Sequence, residues 1–226
     1  MTPSRKTARE ILNTDLYCIT SEEHSSGRDN IQVTESLLSA GIRLIQYREK
    51  EKTMGEKYRQ CQRIRELTRR VGAFLIVNDH ADLALAVAAD GVHIGQEDLP
   101  IEAVRQVVGD RMIIGVSTHS PDQARDAVER GADYIGVGPI YRTFTKKDVC
   151  EPVGLGYLDH VVSGFDIPFV AIGGIKTHNL AEVVRHGAGC ISLVTEIVSA
   201  GDIGARIREL RAIMRQTTPS PARIES

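Results

Sequence analysis

The chain has 226 residues and a formal net charge of -2, a size that suits one α/β barrel with a sizeable core. That charge balance gives no basis for binding nucleic acid or an anionic membrane, and no apolar stretch approaches the roughly 20 residues of a membrane span. Met1 to Glu10 lacks the apolar core of a signal peptide, and the four cysteines, Cys18, Cys61, Cys150 and Cys190, are scattered without CxxC pairing. A cytoplasmic protein with reduced, mostly buried thiols is expected.

In chain order, residues 1–15 form an extension in which 4–12 read as a short helix. Eight Ile- and Val-rich runs follow, at about 16–20, 42–46, 73–77, 91–94, 112–117, 133–137, 168–172 and 190–194. Short continuous apolar runs suit strands buried on both faces. Between them, segments 54–71, 82–88, 101–108, 122–130, 179–186 and 203–214 carry helical periodicity. In the first of these, Tyr58, Cys61, Ile64 and Leu67 form an apolar stripe among charges. Ser120-Pro121 is a helix start, and Gly41, Gly72, Gly109, Gly131 and Gly187 are helix stops. Residues 217–226 have the composition of a disordered tail. Strands alternating with helices predict a parallel sheet, and eight is the number that closes one. The expected fold class is α/β, a single (β/α)8 TIM barrel over 1–226. An open doubly wound sheet is the alternative, but that fold gathers its ligand at one switch point. Here polar residues end nearly every run.

Those ends carry the chemistry. Asp79 and Asp98 follow consecutive strands. Either they hold a hard cation such as Mg²⁺, completed by substrate phosphates, or they cap the turns that follow. Arg48, Lys50, Lys146 and Lys147 supply positive charge; Arg48 and Lys50, two apart, point the same way from an extended chain. A departing diphosphate needs such charge, and solvated loops are the plain alternative. Gly173-Gly174 and Val194-Thr195 end the seventh and eighth strands, where barrels commonly bind phosphate, although tight strand-to-helix turns also use glycine. Two anionic groups are expected, a diphosphate with metal on strands two to six and a monophosphate at seven and eight. His80 and His119 are either acid/base groups or ordinary loop histidines. His93 is inward packing or a donor behind the site. Ser117 reads as a hydroxyl donor to ligand, because no Ser/His/Asp order asks for an activated nucleophile.

The motifs Gln46-Tyr47-Arg48-Glu49-Lys50, Val77-Asn78-Asp79, His93-Ile94-Gly95-Gln96-Glu97-Asp98 and Gly115-Val116-Ser117-Thr118-His119 stand in this order. They continue with Gly136-Val137-Gly138-Pro139-Ile140-Tyr141, Thr143-Phe144-Thr145-Lys146 and Ala171-Ile172-Gly173-Gly174-Ile175. Together, from Leu16 to about Met214, the chain resembles the thiamine-phosphate synthase family. The resemblance implies a barrel that joins a hydroxymethylpyrimidine diphosphate to a thiazole phosphate, releasing diphosphate. It implies that Asp79 and Asp98 hold Mg²⁺, and that Lys50, Ser117 and Lys146 are catalytic. It also implies that Gln46, Tyr47, Arg48, Glu49, Lys50, Asn78, Ser117 and Lys146 contact the pyrimidine diphosphate. Thr143, Phe144, Thr145, Gly173, Gly174, Val194 and Thr195 would serve the thiazole phosphate. Arg142 and Phe144 stand where the family's threonine loop often carries proline, and Arg142 is expected to face solvent. The rivals are a thiazole tautomerase of the same fold, using His119 as its acid/base group, and a non-catalytic phosphate-ligand-binding barrel. The expected partners are these small molecules, with no nucleic acid or membrane; a homo-oligomer stays open.

Overall fold

A computed structural model describes residues 6–145 and 150–217. Its eight strands are β1 (Leu16–Ile19), β2 (Leu44–Tyr47), β3 (Phe74–Asn78), β4 (Gly91–Ile94), β5 (Ile113–Thr118), β6 (Tyr134–Val137), β7 (Phe169–Ile172) and β8 (Ile191–Leu193). Each pairs in parallel with the next, and β8 returns to β1 with Ser192 opposite Tyr17, closing the barrel. The helices are α1 (Ala8–Ile11), α2 (Asn30–Ser39), α3 (Met54–Val71), α4 (Ala81–Ala86), α5 (Ile101–Val108), α6 (Pro121–Glu129), α7 (Gly154–Gly164), α8 (Thr177–Arg185), α9 (Thr195–Val198) and α10 (Ile203–Thr217).

Local chemistry sets these boundaries. Thr7 with Glu10, Asp29 with Gln32 and Thr53 with Glu56 form capping boxes at the starts of α1, α2 and α3, satisfying backbone N–H groups that the first turn leaves open. Ser120 accepts from the Gln123 N–H, with Pro121 in the first turn of α6. All five glycine stops adopt positive φ, from 64° at Gly109 to 90° at Gly187.

Three expectations need correction. The periodicity gave no helix for α2 or α7. The buried face of α2 includes Asn30 and Thr34, which breaks its apolar repeat, and α7 carries Gly154, Gly156 and Gly164, poor helix formers. In α3 Cys61 and Ile64 of the expected stripe are buried, but Lys57 and Thr68 complete that face in place of Tyr58 and Leu67. Tyr58 is exposed, and the Lys57 stem covers apolar surface instead. The expected tail begins one residue early: Thr217 ends α10, its hydroxyl donating to the Ile213 carbonyl, and the rest of that segment lies outside the described residues.

Alternation along the strands makes two cores. Outward residues such as Leu16, Ile45, Val77 and Ile135 pack against the helices. Inward ones, Tyr17, Leu44, Ile76, Ile113, Tyr134, Val170 and Cys190, fill the barrel and meet Ala8, Ile11 and Leu12 from the extension. Arg9 ties α1 to Asp166, just ahead of β7. The extension is therefore a plug at the strands' N-terminal end, which leaves the C-terminal end for chemistry.

Candidate active site at the C-terminal mouth

Side-chain parity decides what faces the mouth. Gln46 shares the inward parity of Leu44, Asn78 that of Ile76, and Ser117 that of Ile113. Gln46 is buried and donates from Nε2 to the Tyr17 hydroxyl at 2.9 Å. Ser117 Oγ lies 2.9 Å from His93 Nε2. His93 thus stands behind the site, with its Nδ1 2.9 Å from the Tyr134 hydroxyl.

Just past β2, the Lys50 ammonium donates to Asp79 Oδ2. The amine remains half exposed while the Asp79 side chain is 19% exposed, so the pair sits at a boundary open to ligand. Burial pushes the Asp79 carboxyl up, but the Lys50 hydrogen bond and charge outweigh it and hold the group below its ordinary value. Asp98 lies close enough to act on the Asp79 carboxyl, while its Oδ2 accepts from the Gly95 N–H at 2.7 Å. Asp98 therefore both braces its turn and faces its neighbour. Asp79 caps no helix: α4 is entered through His80, without a side-chain cap. Asp79 adopts φ 62°, a left-handed conformation that aspartate tolerates better than most residues. Among the described residues no group of three metal-ligating side chains is present. Two facing carboxylates suit a hard cation whose remaining ligands are water and phosphate oxygen.

Tyr47 and Glu49 do not face the mouth. Tyr47 has outward parity and donates to Gln60 Oε1 at 2.9 Å. Glu49 accepts from the Glu22 N–H and from Asn30 Nδ2, joining the first two strand ends. Arg48 is half-buried, its N–H donating to Thr20 Oγ1 at 3.3 Å. The composition left one support unseen: buried Lys57 donates to the Lys50 carbonyl and to His80 Nε2. Burial, then the Lys57 charge, lowers the His80 pKa, so His80 serves as an acceptor holding a lysine. Lys57 follows from counting four residues back from Cys61 on the buried face of α3.

The other half of the mouth is shaped by backbone. Gly173 and Gly174 have φ of 98° and 67°. A Cβ on Gly173 would stand 2.4 Å from Pro139, and one on Gly174 2.5 Å from the carbonyl oxygens of Tyr141 and Arg142. Glycine is needed because the loop after β6 lies directly on the end of β7. In that loop the Thr143 and Thr145 hydroxyls are 3.2 Å apart, and the Thr145 carbonyl meets His24 Nε2 at 3.4 Å. Phe144 is 83% exposed and does not join the threonines. Arg142 is exposed, as expected, and lies over the Phe144 ring. Lys146 and Lys147 lie outside the described residues. Val194 precedes α9, and Thr195 Oγ1 accepts from Lys176 Nζ at 2.7 Å. Lys176 is a second residue the sequence reading missed; its place two residues after Gly174 was the available signal. His119 is tied through Nδ1 to the Gly138 carbonyl.

The profile of the family described as "Thiamine monophosphate synthase" matches residues 16–197. The thiamine-phosphate synthase of Pelotomaculum thermopropionicum is 62% identical over 204 residues, covering 90% of this chain and 94% of that one. That of Lawsonia intracellularis is 58% identical, with 88% and 92% covered. Among solved structures, thiamine phosphate pyrophosphorylase from Pyrococcus furiosus superposes with a TM-score of 0.83 at 34% identity, covering 92% of this chain and 98% of that one. A 3-hexulose-6-phosphate synthase, at 16% identity and a TM-score of 0.68, covering 89% of this chain and 100% of that one, shares the fold alone.

Proposed function

The chain belongs to the thiamine monophosphate synthase family, and from that membership we propose that it joins a hydroxymethylpyrimidine diphosphate to a thiazole phosphate, forming thiamine phosphate and diphosphate. The observation that carries this reading is the Lys50–Asp79 pair with Asp98 beside it, on the ends of adjacent strands. Such a cluster suits a diphosphate and has no use in a tautomerase. His119, the tautomerase's acid/base candidate, already has Nδ1 on a backbone carbonyl.

The C–O bond to diphosphate breaks with its electron pair leaving on oxygen, and the thiazole nitrogen lone pair then forms the new C–N bond. The electron-rich aminopyrimidine stabilises the cation between the two events. No covalent attachment to the enzyme is needed, so the protein's task is electrostatic and positional. Asp79 and Asp98 would hold Mg²⁺, which when bound draws negative charge off the leaving group. Arg48, Lys50 and Lys146 neutralise the departing diphosphate, and Ser117 donates a hydrogen bond to it. Gln46 and Asn78 orient the pyrimidine; Tyr47 and Glu49, facing elsewhere, act through main chain and loop shape. Thr143, Thr145, Gly173, Gly174, Val194 and Thr195 hold the thiazole phosphate, with Lys176 adding charge behind Thr195. Phe144, exposed on the threonine loop, offers its ring as an apolar contact to the thiazole. Purified protein given both substrates and Mg²⁺ should release diphosphate and form thiamine phosphate. Absence of coupled product at saturating substrates would sink the assignment.

A further inference from the structure

An unbroken hydrogen-bonded line runs through the barrel interior beneath the mouth. Gln46 Nε2 donates to the Tyr17 hydroxyl at 2.9 Å, and the Tyr17 and Tyr134 hydroxyls are 3.1 Å apart. The Tyr134 hydroxyl is 2.9 Å from His93 Nδ1, and His93 Nε2 is 2.9 Å from Ser117 Oγ. The fold makes room for this line. A Cβ on Gly115 would stand 2.0 Å from the Tyr134 ring, and one on Gly136 would stand 3.3 Å from His93 Cε1. Both phenols are fully buried, and burial raises their pKa far above the ordinary value, so each keeps one proton to give.

With one proton per hydroxyl, the line has two polarities. If the Gln46 amide nitrogen faces Tyr17, Tyr17 donates to Tyr134 and Tyr134 to His93 Nδ1. The imidazole proton then sits on Nε2 and points at Ser117 Oγ, so the Ser117 proton is left for the ligand. If the line runs the other way, Ser117 gives its proton to His93 and presents only lone pairs to an anion. An aminopyrimidine N–H donating to Gln46 Oε1 fixes the first polarity.

We propose that Tyr17, Tyr134 and His93 are positioning residues that carry hydrogen-bond direction from Gln46 to Ser117, so that pyrimidine recognition at one end sets Ser117 as a donor to the departing diphosphate at the other. This rests on the substrate reading given above.

Two measurements test it. Side-chain 15N NMR on the full-length protein saturated with the pyrimidine diphosphate should find the His93 proton on Nε2; a proton on Nδ1 in that complex overturns the proposal. In steady-state kinetics, Tyr134→Phe should lower kcat about tenfold, the scale of one hydrogen bond to a charged group, with both KM values little changed. Adding Ser117→Ala to Tyr134→Phe should cost almost nothing further, because both changes remove the same donor. Unchanged kcat, or losses that multiply in the double variant, would show that Tyr134 merely packs. Tyr17→Phe must give the same pattern, which keeps the test available if Tyr134→Phe folds poorly. Should the wild-type protein form no coupled product, the substrate reading fails while the NMR result still decides the direction of the line.

Discussion

The two halves of the barrel mouth are built from different materials. On β2 to β5 the groups are side chains: Lys50 pairs with Asp79, Asp98 stands beside that pair, and Ser117 meets His93. On β6 to β8 the shape comes from backbone, with two glycines on which no Cβ fits and a threonine braced by Lys176. The difference matches two tasks. A leaving diphosphate gains charge during the reaction and needs groups whose electrostatics stabilise that change. A thiazole phosphate stays intact and needs only a place of the right form.

The sharpest test of that division is Asp79. Asp79→Ala should lower kcat by about 10²- to 10³-fold, the range for removing one electrostatic contributor at a reaction centre. Because φ there is 62°, alanine also adds backbone strain of about 1 kcal/mol. Asp79→Asn, which tolerates that conformation, isolates the charge and should lose as much turnover at a thermal midpoint near wild type. Asparagine retaining full rate would show that this half does not work by charge. Next in size, Lys50→Ala should lose about 10- to 100-fold in kcat, and far more than Lys147→Ala. Equal losses would mean the positive charge is placed elsewhere.

Gly174→Ala probes the other half. Its Cβ would press on two carbonyl oxygens at 2.5 Å in a left-handed conformation, costing about 1–3 kcal/mol. The KM for the thiazole phosphate should rise about tenfold, while the KM for the pyrimidine diphosphate stays within about twofold. A rise in both would erase the boundary between the halves.

The same contrast explains what was legible in the sequence. Eight apolar runs with polar ends revealed the barrel and its working face, because strands buried on both sides leave a continuous signal. Lys50, Asp79 and Ser117 could be read because their types are conspicuous after an apolar run. Supports reached across the fold were hidden: Lys176 meets Thr195 from the next strand's loop, and Tyr17 and Tyr134 touch 117 residues apart in the chain. Tyr47 and Glu49 were placed with their motif, although alternation from inward Gln46 already turned Tyr47 outward. The plug formed by Ala8, Ile11 and Leu12 had no partner visible in the chain order, since the inward cluster it joins draws on six strands and on Cys190 just ahead of β8.

The smallest expected effect concerns the frame of the backbone-built half. Glu196 accepts from the Thr177 hydroxyl at 3.0 Å and from Arg206 at 3.1 Å, and faces Lys176 at 3.4 Å. Burial pushes its carboxyl up, but the Thr177 hydrogen bond and the Lys176 charge outweigh it and leave the pKa below its ordinary value. A depressed folded-state pKa gives stability that is complete above the unfolded value, roughly 4.3, and is lost as pH falls through the folded one. Its partners are about one-third exposed, so solvent screening keeps the contribution to about 1 kcal/mol. Glu196→Gln should therefore lower the thermal midpoint slightly at neutral pH and flatten the acid limb below about pH 4.5. Glu196 reaches Thr195 through Lys176, so the same substitution should raise the KM for the thiazole phosphate and spare that for the pyrimidine diphosphate. Midpoint curves that stay parallel down to about pH 3 would show that this carboxylate does not hold the frame. The phosphate cradle would then depend on its glycines alone.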